Sequence, residues 1–258
     1  MKTDREIMDA VIKHHRFVED KIEPMTVVMT SLIGSQNYGL AHEYSDVDTC
    51  SFVLPTIEQL SYGFEPISKE YEVDDGKCIV KDIRVALNLL IKTNPNSIEW
   101  FCSSYVHYNE QYSDLIDSYI NIKNRNKFLY ASPYNMVNAC KGMTYQLKNR
   151  NMPLGKKYSH ALRVRDMWIN YAAQNTKDIL KFREEKTRQD AYNAKLSIDY
   201  TDEELLRKYS EITQEMGEFS AVGLPINELS TECRSYIREL QFKLMRRHMF
   251  FETEKYIG

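Results

Sequence analysis

A strand pattern that halts at Gly34-Ser35, followed about ten residues later by two aspartates one residue apart, constrains this chain more than any other feature. Met25 to Ile33 is an uncharged run of Val, Met, Thr, Leu and Ile that reads as a buried strand. Gly34 ends it. Val47 to Leu54 reads as a second strand, closed by Pro55. Asp46 and Asp48 stand at i and i+2, which share one side of an extended chain, so the two carboxylates can share a divalent cation. The Gly34-Ser35 turn offers backbone N–H groups and a hydroxyl to a phosphate. Oxygen ligands suited to Mg²⁺ beside a phosphate cradle point to chemistry on a nucleotide.

The rest of the pattern is consistent with one strand-bearing half and one helical half. Ile7, Met8, Val11, Ile12 and Phe17 give an amphipathic helix from about Asp4 to Asp20. Residues 67–73 and 77–82 alternate around Asp74-Asp75-Gly76, a hairpin signature. From Ile83 the period becomes helical, with Asp82 placed as an N-cap; Thr93 to Asn96 breaks that helix and Ser97 resumes it. Further helices are expected near 109–120, 134–149, 156–174, 176–190, 202–217 and 227–252, with a linker-like gap from Asn149 to Gly155. The predicted class is α+β: a mixed-sheet domain over 1–130, then an all-helical domain over 131–258.

Charge and cysteine usage narrow the function. A net charge of −3 argues against a general nucleic-acid coat, so a polyanion must meet a local patch. Lys148, Arg150, Lys156, Lys157, Arg163 and Arg165 form such a patch, and Lys156, His160 and Arg163 share a helix face at i, i+4, i+7. Five dispersed cysteines without a CxxC pair give no zinc site and suit a reducing cytoplasm. No apolar run is long enough to cross a bilayer, so a cytoplasmic protein without a membrane partner is expected.

The order strand, Gly-Ser turn, strand with Asp-x-Asp resembles the GS…DxD signature of the DNA polymerase β-like nucleotidyltransferases. Tyr38-Gly39-Leu40-Ala41, Ser45-Asp46-x-Asp48, Asp82-Ile83-Arg84, Asn94-Pro95-x-x-x-Glu99-Trp100 and Lys157-Tyr158-x-x-Ala161-Leu162-Arg163 are similar to the RNA-ligase-associated RlaP (YcgL-like) family. These blocks span residues 30–170. The resemblance implies a small palm-like sheet and transfer of a nucleoside monophosphate from an NTP, ATP or CTP, to a hydroxyl. It implies two Mg²⁺ (or Mn²⁺) ions held by Asp46, Asp48 and a third carboxylate. Asp82 is the first choice for that third acid and Asp74 or Asp75 the alternatives; Cys78 stands where relatives often carry Asp. Gly34, Ser35, Lys157, His160 and Arg163 are the expected nucleotide contacts, and an RNA 3′ end resembling tRNA is the implied acceptor. A protein or small-molecule hydroxyl, or a weakly catalytic nucleotide- or RNA-binding regulator, are the alternatives.

Overall fold

The computed structural model describes residues 2–257. Helix α1 (Asp4–Ile22) opens on a capping box in which Thr3 and Glu6 satisfy each other's backbone N–H groups. Its buried face, Ile7, Val11, Val18 and Ile22, lies against the sheet. Strand β1 (Thr26–Ile33) follows, then a 3₁₀ turn (Ser35–Tyr38) and β2 (Asp48–Leu54). A short helix α2 (Ile57–Ser61) leads to the hairpin β3 (Ser68–Val73) and β4 (Gly76–Asp82). Helices α3 (Ile83–Ile91) and α4 (Pro95–Cys102) come next, then an edge strand β5 (Val106–Tyr108). The remainder is helical: α5 (Glu110–Tyr119), α6 (Arg125–Phe128), α7 (Pro133–Gln146), α8 (Leu154–Ala172), α9 (Glu185–Lys195), α10 (Asp202–Glu218) and α11 (Ser230–Ile257). None of the described helices is long and apolar enough to cross a membrane.

The sheet is mixed, in the order β3-β4-β2-β1-β5, with β2 and β4 parallel and the other neighbours antiparallel. Alternation sorts its side chains between two covers. Cys50, Phe52 and Leu54 of β2 enter the main core with α3, α4 and the later helices, whereas Val53, Cys78 and Val80 join Val18 and Ile22 of α1. Asp48 has the parity of Cys50 and Phe52, so it emerges at the strand's start on the side of the helical half. One apolar core runs from that sheet face through α8 to α11. Polar ties reinforce the join: buried His248 of α11 meets the Tyr112 hydroxyl through Nδ1 at 2.8 Å and the Pro55 carbonyl through Nε2 at 2.9 Å.

The structure bears out the predicted strands and hairpin, and the Asp82 cap and the Asn94-Pro95 break stand where expected. Three features differ. Strand β5, only three residues long, is held by pairing with β1 and not by any period of its own. Residues 176–184 are irregular, and the helix expected over 176–190 forms at 185–195. Two buried side chains of α8 hold that segment open: Asn170 donates to the carbonyls of Asp178 and Lys181, and Asp166 accepts the Arg183 N–H, each at 2.9 Å. The gap at 149–155 ends in a tight contact, with Gly155 buried against α9.

Candidate active site

The turn after β1 is shaped from within. Gly34 has φ of +82°, which a side chain tolerates poorly, and a Cβ there would also lie 3.3 Å from Asp48 Oδ2. Its N–H donates to the Glu99 carboxylate at 2.6 Å. Glu99 is buried on α4, a helix started by Asn94 and Pro95. Burial pushes its carboxyl up, against the Arg163 charge and the Gly34 N–H, which favour the ionised form. Asn37 locks the same turn by donating to the Leu32 carbonyl at 2.7 Å and accepting from the Ser103 hydroxyl at 2.9 Å. The expected phosphate cradle is thereby narrowed. Gly34's N–H is committed to Glu99, and Ser35 is the residue of the pair that lines the cleft.

The aspartate pair is clamped from the hairpin. Val47 N–H donates to the Asp75 carbonyl at 2.8 Å, and Lys77 N–H donates to Asp48 Oδ1 at 3.1 Å. Gly76 lets this turn approach, because a Cβ there would sit 2.7 Å from the Val47 oxygen. Burial raises the Asp48 pKa and the neighbouring Asp46 charge adds to it, with the Lys77 N–H opposing. Asp46 is exposed and precedes β2, while Asp48 is partly buried at its first position.

Asp46, Asp48 and Ser35 line one wall of a cleft of about 450 Å³, and α8 and α9 supply the other through Lys156, His160, Arg163 and Lys195. The Arg163 guanidinium lies over the ring of buried Tyr38, 4.2 Å from its centroid, and its Nε is buried without a hydrogen-bond partner. An Arg163 Nη2 to His160 Nε2 contact measures 3.4 Å. Burial, followed by the charges of Arg163 and Arg150, drives the His160 pKa well below its usual value, so the imidazole is neutral.

The remaining expected residues lie elsewhere. Lys157 turns away from the cleft, its Nζ on the Lys148 carbonyl at 3.1 Å, and Lys156 takes the inward place. Asp82 is not with the pair. The β2–β4 register sets Val53 opposite Asp82, which leaves Asp82 about 16 Å along the strands from Asp48 at ~3.3 Å per residue, and with the parity of the α1 side. It is buried, caps α3 through Arg84 N–H at 2.8 Å, and forms an ion pair with the Arg84 guanidinium. Asp74 and Asp75 face Lys13 of α1 at 3.1 and 3.8 Å. Cys78 is buried against the Ser51 hydroxyl. Glu70 of β3 is near enough to raise the Asp48 pKa, but Lys77 already pairs with it at 2.7 Å.

Among the described residues no group of three or more His, Cys, Asp or Glu side chains gathers to hold an ion. The donor set that does face the cleft is two hard carboxylates, which suits Mg²⁺, an ion that keeps several waters and completes its shell with phosphate oxygens. One such ion fits these residues. The third carboxylate implied for a second ion is not placed beside them.

No match was found among curated proteins. A solved nucleotidyltransferase-like protein from Exiguobacterium sibiricum 255-15 is similar over 93% of this chain and 80% of its own, at 14% identity and a TM-score of 0.28, too loose a superposition to carry an argument. A family described as "RlaP: RNA repair pathway DNA polymerase beta family" matches residues 7–174, which contain the Gly34 turn, both aspartates, Glu99 and Arg163. With well over half of its length matched, the chain belongs to that family of polymerase β-like nucleotidyltransferases.

Proposed function

We propose that this protein is a Mg²⁺-dependent nucleotidyltransferase that moves a nucleoside monophosphate from an NTP to the hydroxyl of an RNA 3′ end. The observation that carries the reading is the opposition of charge across one cleft: Asp46 and Asp48 on the sheet side, Lys156 and Arg163 on the helical side. A triphosphate with its cation is complementary to both walls. The helical half, 131–258, closes the nucleotide site, and the family's link to RNA repair favours RNA as acceptor.

Asp46 and Asp48 would hold the cation, which when bound would neutralise phosphate charge and polarise the phosphoryl oxygens. Ser35 offers its hydroxyl to a phosphate oxygen. Arg163, braced on Tyr38, and Lys156 neutralise the charge that builds on the leaving pyrophosphate. Neutral His160 orients the Arg163 fork. The acceptor oxygen bonds to the α-phosphorus, the bridging α–β P–O bond breaks, and pyrophosphate departs with that electron pair. The hydroxyl proton goes to water.

The missing third acid favours a second reading, a nucleotide-binding regulator with little turnover. The two part in one experiment: α-³²P-labelled ATP, CTP, GTP and UTP with Mg²⁺, incubated with total RNA and separately with cell protein. The enzyme reading expects label on RNA that disappears with Asp46→Ala at unchanged circular dichroism. Label on protein alone rejects the RNA acceptor. Tight Mg²⁺-dependent NTP binding without label anywhere leaves the regulator.

A further inference from the structure

We propose that α9, which lies beyond the family-matched residues, completes the triphosphate site, with Lys195 binding the β- and γ-phosphates of the NTP. The inference rests on the nucleotidyltransferase reading and adds a residue from outside the matched segment.

Three observations converge on it. The first is a backbone contact. A Cβ on Gly155 would lie 1.8 Å from the Ala194 carbonyl oxygen, so the first turn of α8 and the last turn of α9 meet with no side chain between them. The residues next in sequence, Lys156 and Lys195, are both delivered to the cleft as a result.

The second is the grip of α9 on the phosphate loop. Lys195 Nζ donates to the Leu40 carbonyl at 2.8 Å and Arg188 Nη1 donates to the Gly39 carbonyl at 2.9 Å. These are the carbonyls that end the turn begun at Gly34. An ammonium has three donors, so Lys195 can keep Leu40 and still offer N–H groups to a phosphate.

The third is a cluster of positive charge. Among the described residues, Lys156, Arg163 and Lys195 form no ion pair with a carboxylate within 4.0 Å, whereas half-buried Arg84, Arg165, Arg188, Lys208 and Arg247 do. Burial and the neighbouring charges of Lys156 and Arg163 lower the Lys195 pKa, while Asp46 and Asp48 act in the other direction. Three clustered cations are stabilised by a multivalent anion. A triphosphate bound to the aspartate pair would bring one within their reach.

Calorimetry on the full chain tests this with two Mg²⁺-loaded probes, α,β-methylene-ATP and inorganic tripolyphosphate, and with AMP as the control lacking terminal phosphates. Lys195→Met should weaken both phosphate-rich probes roughly 10- to 100-fold, the loss expected for one charge-assisted contact, and leave AMP unchanged. Lys195→Arg should restore most of the affinity. Gly155→Ala should reproduce the loss by pushing α9 away, with melting curves reporting whether the fold survives. Wild-type affinity in Lys195→Met overturns the proposal while leaving the nucleotidyltransferase reading intact. Failure of wild type to bind Mg²⁺·α,β-methylene-ATP overturns both.

Discussion

Replacing Glu99 should damage the protein in a way that a generic core acid would not. Glu99→Leu removes the acceptor of the Gly34 N–H, a bond of 2.6 Å in the turn that faces Asp48. An orphaned buried donor costs about 2 kcal/mol, which for a chain of this size lowers the melting temperature by roughly 4–8 °C. Glu99→Gln keeps an acceptor oxygen and removes the charge, and its effect has the opposite sign at neutral pH. Burial raises the Glu99 pKa, so the folded state favours the protonated form. Its contribution to stability is present in acid and lost as pH rises through the raised folded value. Glu99→Gln should therefore gain on wild type at neutral pH, and the gain should shrink toward the ordinary glutamate value of about 4.3. Urea unfolding from about pH 4.5 to 8 measures the gap, with Mg²⁺·α,β-methylene-ATP binding followed in parallel. Glu99→Leu that melts and binds like wild type, or a Glu99→Gln gap that does not move with pH, refutes the reasoning.

Gly34→Ala places a Cβ at φ +82° and 3.3 Å from Asp48 Oδ2, so it should cost about 1–3 kcal/mol and weaken Mg²⁺-dependent nucleotide binding, both measurable by melting and calorimetry. Asp82→Asn removes the ion pair with Arg84 and weakens the α3 cap, lowering stability by about 1–2 kcal/mol without changing nucleotide affinity per folded molecule. A selective loss of Mg²⁺-dependent binding in that variant would make Asp82 a ligand after all. Because the Asp48 pKa is raised, Mg²⁺-dependent nucleotide binding should fail on acidification at a higher pH than an ordinary aspartate would dictate. A binding profile that holds down to the usual aspartate range contradicts this.

Much of the sheet was legible because its signals are local. Gly34 and Pro55 end their strands, alternation marks the hairpin, and Asp82 and Asn94 cap the helices they precede. What the sequence could not reveal was register and phase. Asp82 reads as a carboxylate at a strand end, yet only the β2–β4 register shows that it is the far end on the other face. The shared face of Lys156, His160 and Arg163 was readable from spacing alone, but adjacent Lys157 is turned about 100° from Lys156 around the helix and leaves the cleft. Glu99 sits in a short helix where an acid looks ordinary, and its role exists only because Gly34 folds onto it. Lys195 gave no signal: it enters through a backbone contact at Gly155, a position that reads as a linker.

The central claim is that Asp46 and Asp48 jointly present a cation and a triphosphate to an acceptor. A crystal of the full chain with Mn²⁺ and an α,β-methylene NTP, phased to show anomalous scattering, tests it most directly. The account predicts a peak touching both carboxylates and the phosphate oxygens, with the terminal phosphates against Lys156, Arg163 and Lys195. Mn²⁺ seated elsewhere, or a nucleotide bound with both aspartates idle, would contradict it.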